Sequence, residues 1–523
     1  MAMKKEEVTK RLADFYSGVD YSDLSKEVTD WAKWYILDHI GCILGGQQTP
    51  MGKILTELGR DLGGKDEATV LGSKEKTSAP MAAFINAKLG NALDYDDVLY
   101  NLWHIGVIPV ASALAMGEKV GASGKEVILG VVSGYDTCAR LGLATVPMNI
   151  LPMVKIIPSA VRNILYSPPI ARILSQLVPQ LMKTDFGVDT LDRLAYSWGG
   201  YGFETIGAAV SAGRVLKLDD KAMRMAIGIS GHNAQIPVTQ KWSGNTPVKM
   251  TKYAEFDGIA FTGVMSALLA QRGYTGISNF LDGRSGFWTS YSYSQVHFEP
   301  ITDKLGEKWY IMNAGIKPYP CCRWIHPPID MVLSIMREND LTPDDVKKID
   351  LKLSFAAMMP AWMAPSKWAD FEPKDWLNAG FSFSYNIACA AHGIRPGPLW
   401  AAPETLRKPE IVNFTKKISC GMQEESLKSM IEYEGFPGEI CRRAPASVDM
   451  DTTKGKFSLT RTTNRGDNYG PETKLSGEEL KEKFRGNTTG LLPDARINEV
   501  IDMVLRLEEI DDIRKLTELC LVE

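Results

Sequence analysis

The period at which apolar residues recur, and the place where that period changes, constrain this chain most. Up to about residue 300 the recurrence is helical. Val28, Trp31, Ala32, Tyr35, Ile36, Ile40 and Leu44 form one stripe of a segment that opens at Asp23 and that Gly45-Gly46 is expected to stop. Pro80 opens a second stripe of Met81, Phe84, Ile85, Leu89 and Leu93. Ser123-Gly124-Lys125-Glu126 is a capping box for a third helix reaching about Leu143. The spacing continues through Glu204–Leu216, Lys221–Ser230 and Gly258–Arg272. Near Trp309 it changes. Residues 347–355 alternate with period two, as a half-buried strand does, and so do 456–462 ahead of the turn Asn464-Arg465-Gly466-Asp467. A second capping box, Ser476-Gly477-Glu478-Glu479, opens a helical tail to about Val522. The expected fold is mainly α. A large all-helical domain over 1–312 is followed by a smaller α+β lid domain over 313–472, and 473–523 returns to the helical domain.

Composition narrows the function classes. A chain of 523 residues suits two domains. Fifty-nine basic against 63 acidic residues leave a net charge of −4, so no nucleic-acid partner is expected. No apolar run is long enough for a membrane span. Eight cysteines are sparse for this length, and the first residues carry no apolar signal core. A cytoplasmic protein with reduced thiols is the expectation. The segment from Pro147 to Thr184 stands apart: it is apolar, holds six prolines, and its only charges are Lys155, Arg162, Arg172 and Lys183. Repeated proline forbids one long helix. A buried or dimer-interface insertion, a lid or pocket wall, and a membrane-surface patch are the open readings.

Six histidines are few enough to weigh singly. His104 follows Asp94, Asp96 and Asp97, three carboxylates just past a helix end. Acids at a helix C-terminus oppose the macrodipole. Their tolerance there points to chemistry, since carboxylates beside an imidazole tune it for proton transfer. His39 reads as a packing histidine, and His297 and His392 as structural. His326 starts a helix nucleated by Pro327-Pro328 and fits either role. His232, past a helix end, is a candidate cavity residue. Neither Cys-x-x-Cys nor His-x-x-x-His occurs, so zinc and iron–sulfur ligand spacings are missing. The glycines of 199–204 miss the dinucleotide fingerprint, and 228–231 is no nucleophile elbow. No metal and no cofactor are expected.

Several ordered strings resemble the MmgE/PrpD family. They are Ala82-Ala83-Phe84-Ile85-Asn86, Ala92-Leu93-Asp94-Tyr95-Asp96-Asp97, the run from His104 to Ala115, and Gly121-Ala122-Ser123-Gly124-Lys125-Glu126. Thr205-Ile206-Gly207-Ala208-Ala209, Lys252 ahead of Gly258-Ile259-Ala260, Gly273-Tyr274-Thr275-Gly276 and Lys317-Pro318-Tyr319-Pro320 follow in order. The family includes 2-methylcitrate dehydratase, cis-aconitate decarboxylase and iminodisuccinate epimerase. The resemblance implies a homodimer, a cleft between a helical and an α+β domain, and metal-free lyase or isomerase chemistry on small polycarboxylates. By motif position Asp94, His104, Lys252 and Lys317 would be catalytic, with Lys249 a competitor for the Lys252 role. Asn91, Asp97, Trp198, Tyr201, His232, Tyr319, Cys322 and Arg323 would contact substrate.

The departures from the family pattern also matter. Asn91 stands where the acidic motif usually begins with histidine, and Val98 where threonine is common. Trp198, Glu255 and Cys322 occupy three further histidine positions. Losing so many cationic or proton-carrying groups makes a poor tricarboxylate pocket, because a buried carboxylate without its cation costs several kcal/mol. The expected substrate is a small carboxylic acid, less charged and more apolar than citrate. Trp198, Tyr201, Trp103, Tyr319 and Trp324 are the aromatic candidates for its pocket. Hydration or dehydration is expected first and decarboxylation second, with an epimerase or an inactive binding relative as alternatives.

Overall fold

In the computed structural model, residues 7–99, 104–144, 201–235, 248–252, 255–283, 285–290, 296–354, 357, 373–423 and 445–522 are described. The insertion at 147–184, Trp103 and Trp198 lie outside them. The described chain is mainly helical, with a smaller region of sheet.

Among the described residues nine helices precede residue 272: α1 Val8–Gly18, α2 Lys26–Gln47, α3 Pro50–Leu62, α4 Ala79–Asn91, α5 Val107–Val120, α6 Gly124–Ala144, α7 Glu204–Val215, α8 Asp220–His232 and α9 Glu255–Gln271. Ser25 accepts from the Val28 amide to open α2, and the Ser123/Glu126 box opens α6 as expected. Helix α7 packs on α6 and α9, α4 on α2, α5 and α9. Helix α6 is long and apolar enough to cross a bilayer, yet every residue of its apolar stretch is buried. It also carries the Asp136–Arg140 ion pair, so it is a core helix, apolar all round because it is covered all round.

One expectation needs correction here. Gly45-Gly46 does not stop α2, which runs to Gln47. A Cβ on Gly46 would sit 2.0 Å from the Leu89 carbonyl oxygen, so this glycine lets α4 cross α2 backbone to backbone.

Beyond residue 325 the texture changes, near where the sequence does. Helix α10 (His326–Glu338) begins at Pro327-Pro328 and packs on a four-stranded sheet ordered β6-β5-β7-β8. The two strands read from alternation are there: β5 spans Val346–Leu353 and β8 spans Gly455–Arg461. Strand β6 (Ile418–Met422) pairs parallel to β5, while β7 (Ala446–Thr452) lies antiparallel between β5 and β8. Helix α11 (Phe383–Ala391) packs on α10. The tail is helical, as expected. It breaks into α12 (Gly477–Thr488), α13 (Asp494–Leu505) and short turns, with Gly490 at φ +83° and Pro493 between the two helices. Both α12 and α13 pack against α2.

Two small ladders complete the frame. β1 (Ala68–Thr69) pairs with β2 (Lys76–Thr77), and β3 (Asp97–Val98) pairs antiparallel with β4 (Gly315–Ile316). The second ladder is decisive for the site. By setting Asp97 opposite Ile316 it brings the acidic loop after α4 against the loop that carries Lys317.

Candidate active site

The loop that leaves α4 is held by lysines. Lys252 Nζ donates to the Asn91 carbonyl at 3.3 Å, Lys317 Nζ to the Asp94 carbonyl at 2.7 Å, and Lys483 Nζ to the Tyr95 carbonyl at 2.7 Å. Lys483 comes from α12 and also pairs with Asp38 at 2.6 Å, so the C-terminal helices brace this loop. Asp94 has φ +54°, a left-handed conformation that aspartate tolerates better than most residues. Strain of this kind persists only where its surroundings fix it, as the lysines do.

The outcome is a buried cluster. His104 Nε2 lies 3.2 Å from Asp94, and its Nδ1 lies 3.1 Å from Asp96. Asp94 is in turn 3.2 Å from Lys252 Nζ and 3.4 Å from Lys317 Nζ. Burial alone would lower the His104 pKa, but Asp96 and Asp94 outweigh it and lift it above the ordinary imidazole value. Burial likewise opposes ionisation of Asp94, yet Lys252, Lys317 and His104 hold it well below the carboxylate range. Burial pushes Lys252 down, reinforced by Lys317 and only partly offset by Asp94. Asp94, Asp96 and His104 could together offer three ligand atoms to a cation. Two lysine ammonium groups already contact Asp94, however, so the cluster suits an anion far better.

Asp94 and Lys252 line a narrow cavity. Its other walls are largely apolar: Leu93, Trp376, Leu377, Phe381 and Trp400. Lys252 Nζ lies 5.4 Å from the centre of the Phe381 ring. Lys252, rather than the exposed Lys249, is the lysine of the cluster.

The four residues expected to be catalytic thus converge. The expected substrate contacts do so less well. Asn91 donates to Asp96 at 2.9 Å and braces the loop. Asp97 faces away, accepting from the Gly106 amide at 3.0 Å and lying 3.1 Å from His39 Nε2. His232 ends α8 exposed, away from the cluster. Tyr319 donates to Asp330 at 2.7 Å and stacks behind Trp400, leaving Pro320 to line the cavity. Arg323 is committed to Asp467 and to the Arg465 carbonyl. Cys322 is buried, its amide donating to the Gly380 carbonyl at 2.8 Å. Trp324 is buried in the turn before α10. Tyr201 begins a short turn ahead of α7, and Glu255 begins α9, but their side chains are outside the description, as is all of Trp198. Sequence reasoning missed Asp96 as the second partner of His104. It also missed Trp376, Phe381 and Trp400, whose signal, aromatic residues in an α+β region, does not differ from core.

Comparison with known proteins is consistent with this geometry. A family profile described as the MmgE/PrpD N-terminal domain matches residues 10–155 and 196–299, and the MmgE/PrpD C-terminal domain matches 319–508. The chain is 22% identical over 536 residues to the cis-aconitate decarboxylase of Aspergillus terreus, covering 98% of this chain and 96% of that one. It is 24% identical over 531 residues to the cis-aconitate decarboxylase of Homo sapiens, covering 99% and 95%. It is 21% identical over 541 residues to a cis-aconitate decarboxylase-like protein of Aspergillus oryzae, covering 98% and 97%. With both profiles matched in order along most of its length, the chain belongs to the MmgE/PrpD family.

Proposed function

We propose that this protein is a lyase that works without a cofactor on a small carboxylic acid less charged than citrate. Addition or elimination of water is the first reading. Decarboxylation is the second, favoured by the names of the relatives. The observation that carries the proposal is His104 clamped between Asp94 and Asp96, with Lys252 and Lys317 on Asp94. With the imidazole neutral, Lys252 and Lys317 offset Asp94 and Asp96, and the proton that His104 takes up adds the one positive charge that balances one substrate carboxylate. A tricarboxylate would bring two more charges than the cluster neutralises, and buried unpaired charge is costly.

In the elimination, His104 removes the proton beside the substrate carboxylate. The C–H electron pair becomes the C=C bond, the C–O bond breaks, and hydroxide leaves as water with the proton His104 carries. Lys252 and Lys317 stabilise the enolate-like charge on the carboxylate, and Asp94 and Asp96 orient the imidazole. Incubating the protein with mono-, di- and tricarboxylic acids in deuterated buffer tests this. Gain or loss of the mass of water is the expected result, loss of carbon dioxide supports the second reading, and exchange without net product marks an isomerase. Silence across the panel refutes the proposal. We further propose a cytoplasmic homodimer built of a helical domain over 1–312 and 473–523 and a lid over 313–472. Ile54, Leu58 and Leu62 leave an exposed apolar stripe on α3, 40% or more accessible at each position, which is surface a partner could cover. Light scattering should give twice the chain mass; a monomer at micromolar concentration rejects the dimer.

A further inference from the structure

Among the described residues lining the cavity is a carboxamide that the cluster does not use. Asn386, on α11, lines the same cavity as Asp94 and Lys252 and is 1% exposed. Its Nδ2 donates to two backbone carbonyls, Ala379 at 2.7 Å and Ser382 at 2.7 Å. Those two bonds fix the orientation of the amide: turned over, it would set its oxygen against two carbonyl oxygens. Oδ1 is therefore the atom left over, and it is buried with no hydrogen-bond partner. A buried acceptor without a donor is costly, so a site that keeps one is built for a ligand that brings the donor.

We propose that Asn386 Oδ1 accepts a hydrogen bond from a substrate hydroxyl, and that the substrate class is a hydroxy acid with an apolar limb. This rests on the lyase reading and deepens it. The carboxylate goes to the Lys252 end, the hydroxyl to Asn386, and the apolar limb to Trp376, Phe381 and Trp400. A ligand offering only carboxylate oxygens to Asn386 would set lone pairs against a lone pair. The residue thus selects a substrate that carries, or gains, an O–H, which is the substrate or product of water addition.

Binding of matched pairs tests the assignment by calorimetry: 3-phenyllactate against 3-phenylpropanoate, and the 2- and 3-hydroxy derivatives of 4-methylpentanoate against 4-methylpentanoate itself. The wild type should bind at least one hydroxy acid about tenfold more tightly than its deoxy partner, the size of one net hydrogen bond. Asn386→Leu should abolish the preference while leaving the deoxy acids as they were. That variant also loses two backbone contacts, so if it fails to fold the wild-type comparison decides alone. Equal affinity within every pair, or no binding of any acid, overturns the proposal. The preference should persist in His104→Ala, which separates the two readings. Hydroxyl preference without turnover of any acid leaves Asn386 standing and removes the lyase. Water elimination with equal binding does the reverse.

Discussion

Among the described residues two buried histidines each lie against aspartate, and one of them, His104, lies against an aspartate that lines a cavity. His39 is clamped by the Tyr35 carbonyl at 2.8 Å and by Asp97 at 3.1 Å, while His104 is clamped by Asp94 and Asp96. In both, burial lowers the pKa and the neighbouring carboxylates more than restore it, so both are raised. The difference is what lies beyond the carboxylate. Oδ1 of Asp97 accepts from the Gly106 amide and faces His39, and Tyr35 walls the place: a Cβ on Gly106 would meet the Tyr35 hydroxyl at 1.6 Å. Asp94 instead meets two lysines and the cavity. A histidine–aspartate pair is a structural element by default. A carboxylate that lines a cavity and is held by two lysines makes it a candidate for chemistry.

The sharpest way to break this comparison is to truncate each histidine. His104→Ala should lower turnover by about two to four decades, the usual share of a general acid–base group, with the fold intact by circular dichroism. Near-normal turnover would leave the two pairs equivalent. A smaller effect separates the two partners of His104. Asp96→Asn should cost about tenfold and move the acidic limb of the kcat/KM profile to lower pH, because it removes the carboxylate that most raises the imidazole. An unmoved limb would mean that His104 is not the titrating base.

Much of this was legible in the sequence, for a local reason. Helix periodicity, the Ser123 and Ser476 boxes and Pro327-Pro328 act within a few residues, and each appears where expected. Part of the cluster was legible too, since Asp94 and His104 are near neighbours in the chain, while Asp97 was expected in the place that Asp96 takes. What was not legible depends on contacts between distant segments. Which carboxylate serves which histidine is decided by the Asp97–Ile316 ladder and the Gly106 amide. The pocket aromatics were sought near Trp198 and Tyr319, whereas Trp376 and Trp400 arrive from the α+β region through chain packing that periodicity does not encode. Gly45-Gly46 misled for the same reason, because a glycine that ends a helix and one that admits a crossing helix look alike in isolation.

The gentlest test asks whether His39 contributes only to stability. His39→Gln should change turnover by less than about threefold while costing about 1–3 kcal/mol of stability, the range for leaving a buried polar partner unsatisfied. The pH dependence carries the argument. Because Asp97 raises His39 in the folded state, the protonated form is the one folding favours. Its contribution is fully present below the unfolded value of about 6.5 and fades as pH rises through the folded one. The gap in melting temperature between wild type and His39→Gln should therefore be widest near pH 6 and narrow towards pH 9. A gap that widened with pH would mean a neutral imidazole beside Asp97. A large loss of turnover at unchanged stability would erase the distinction between the two pairs.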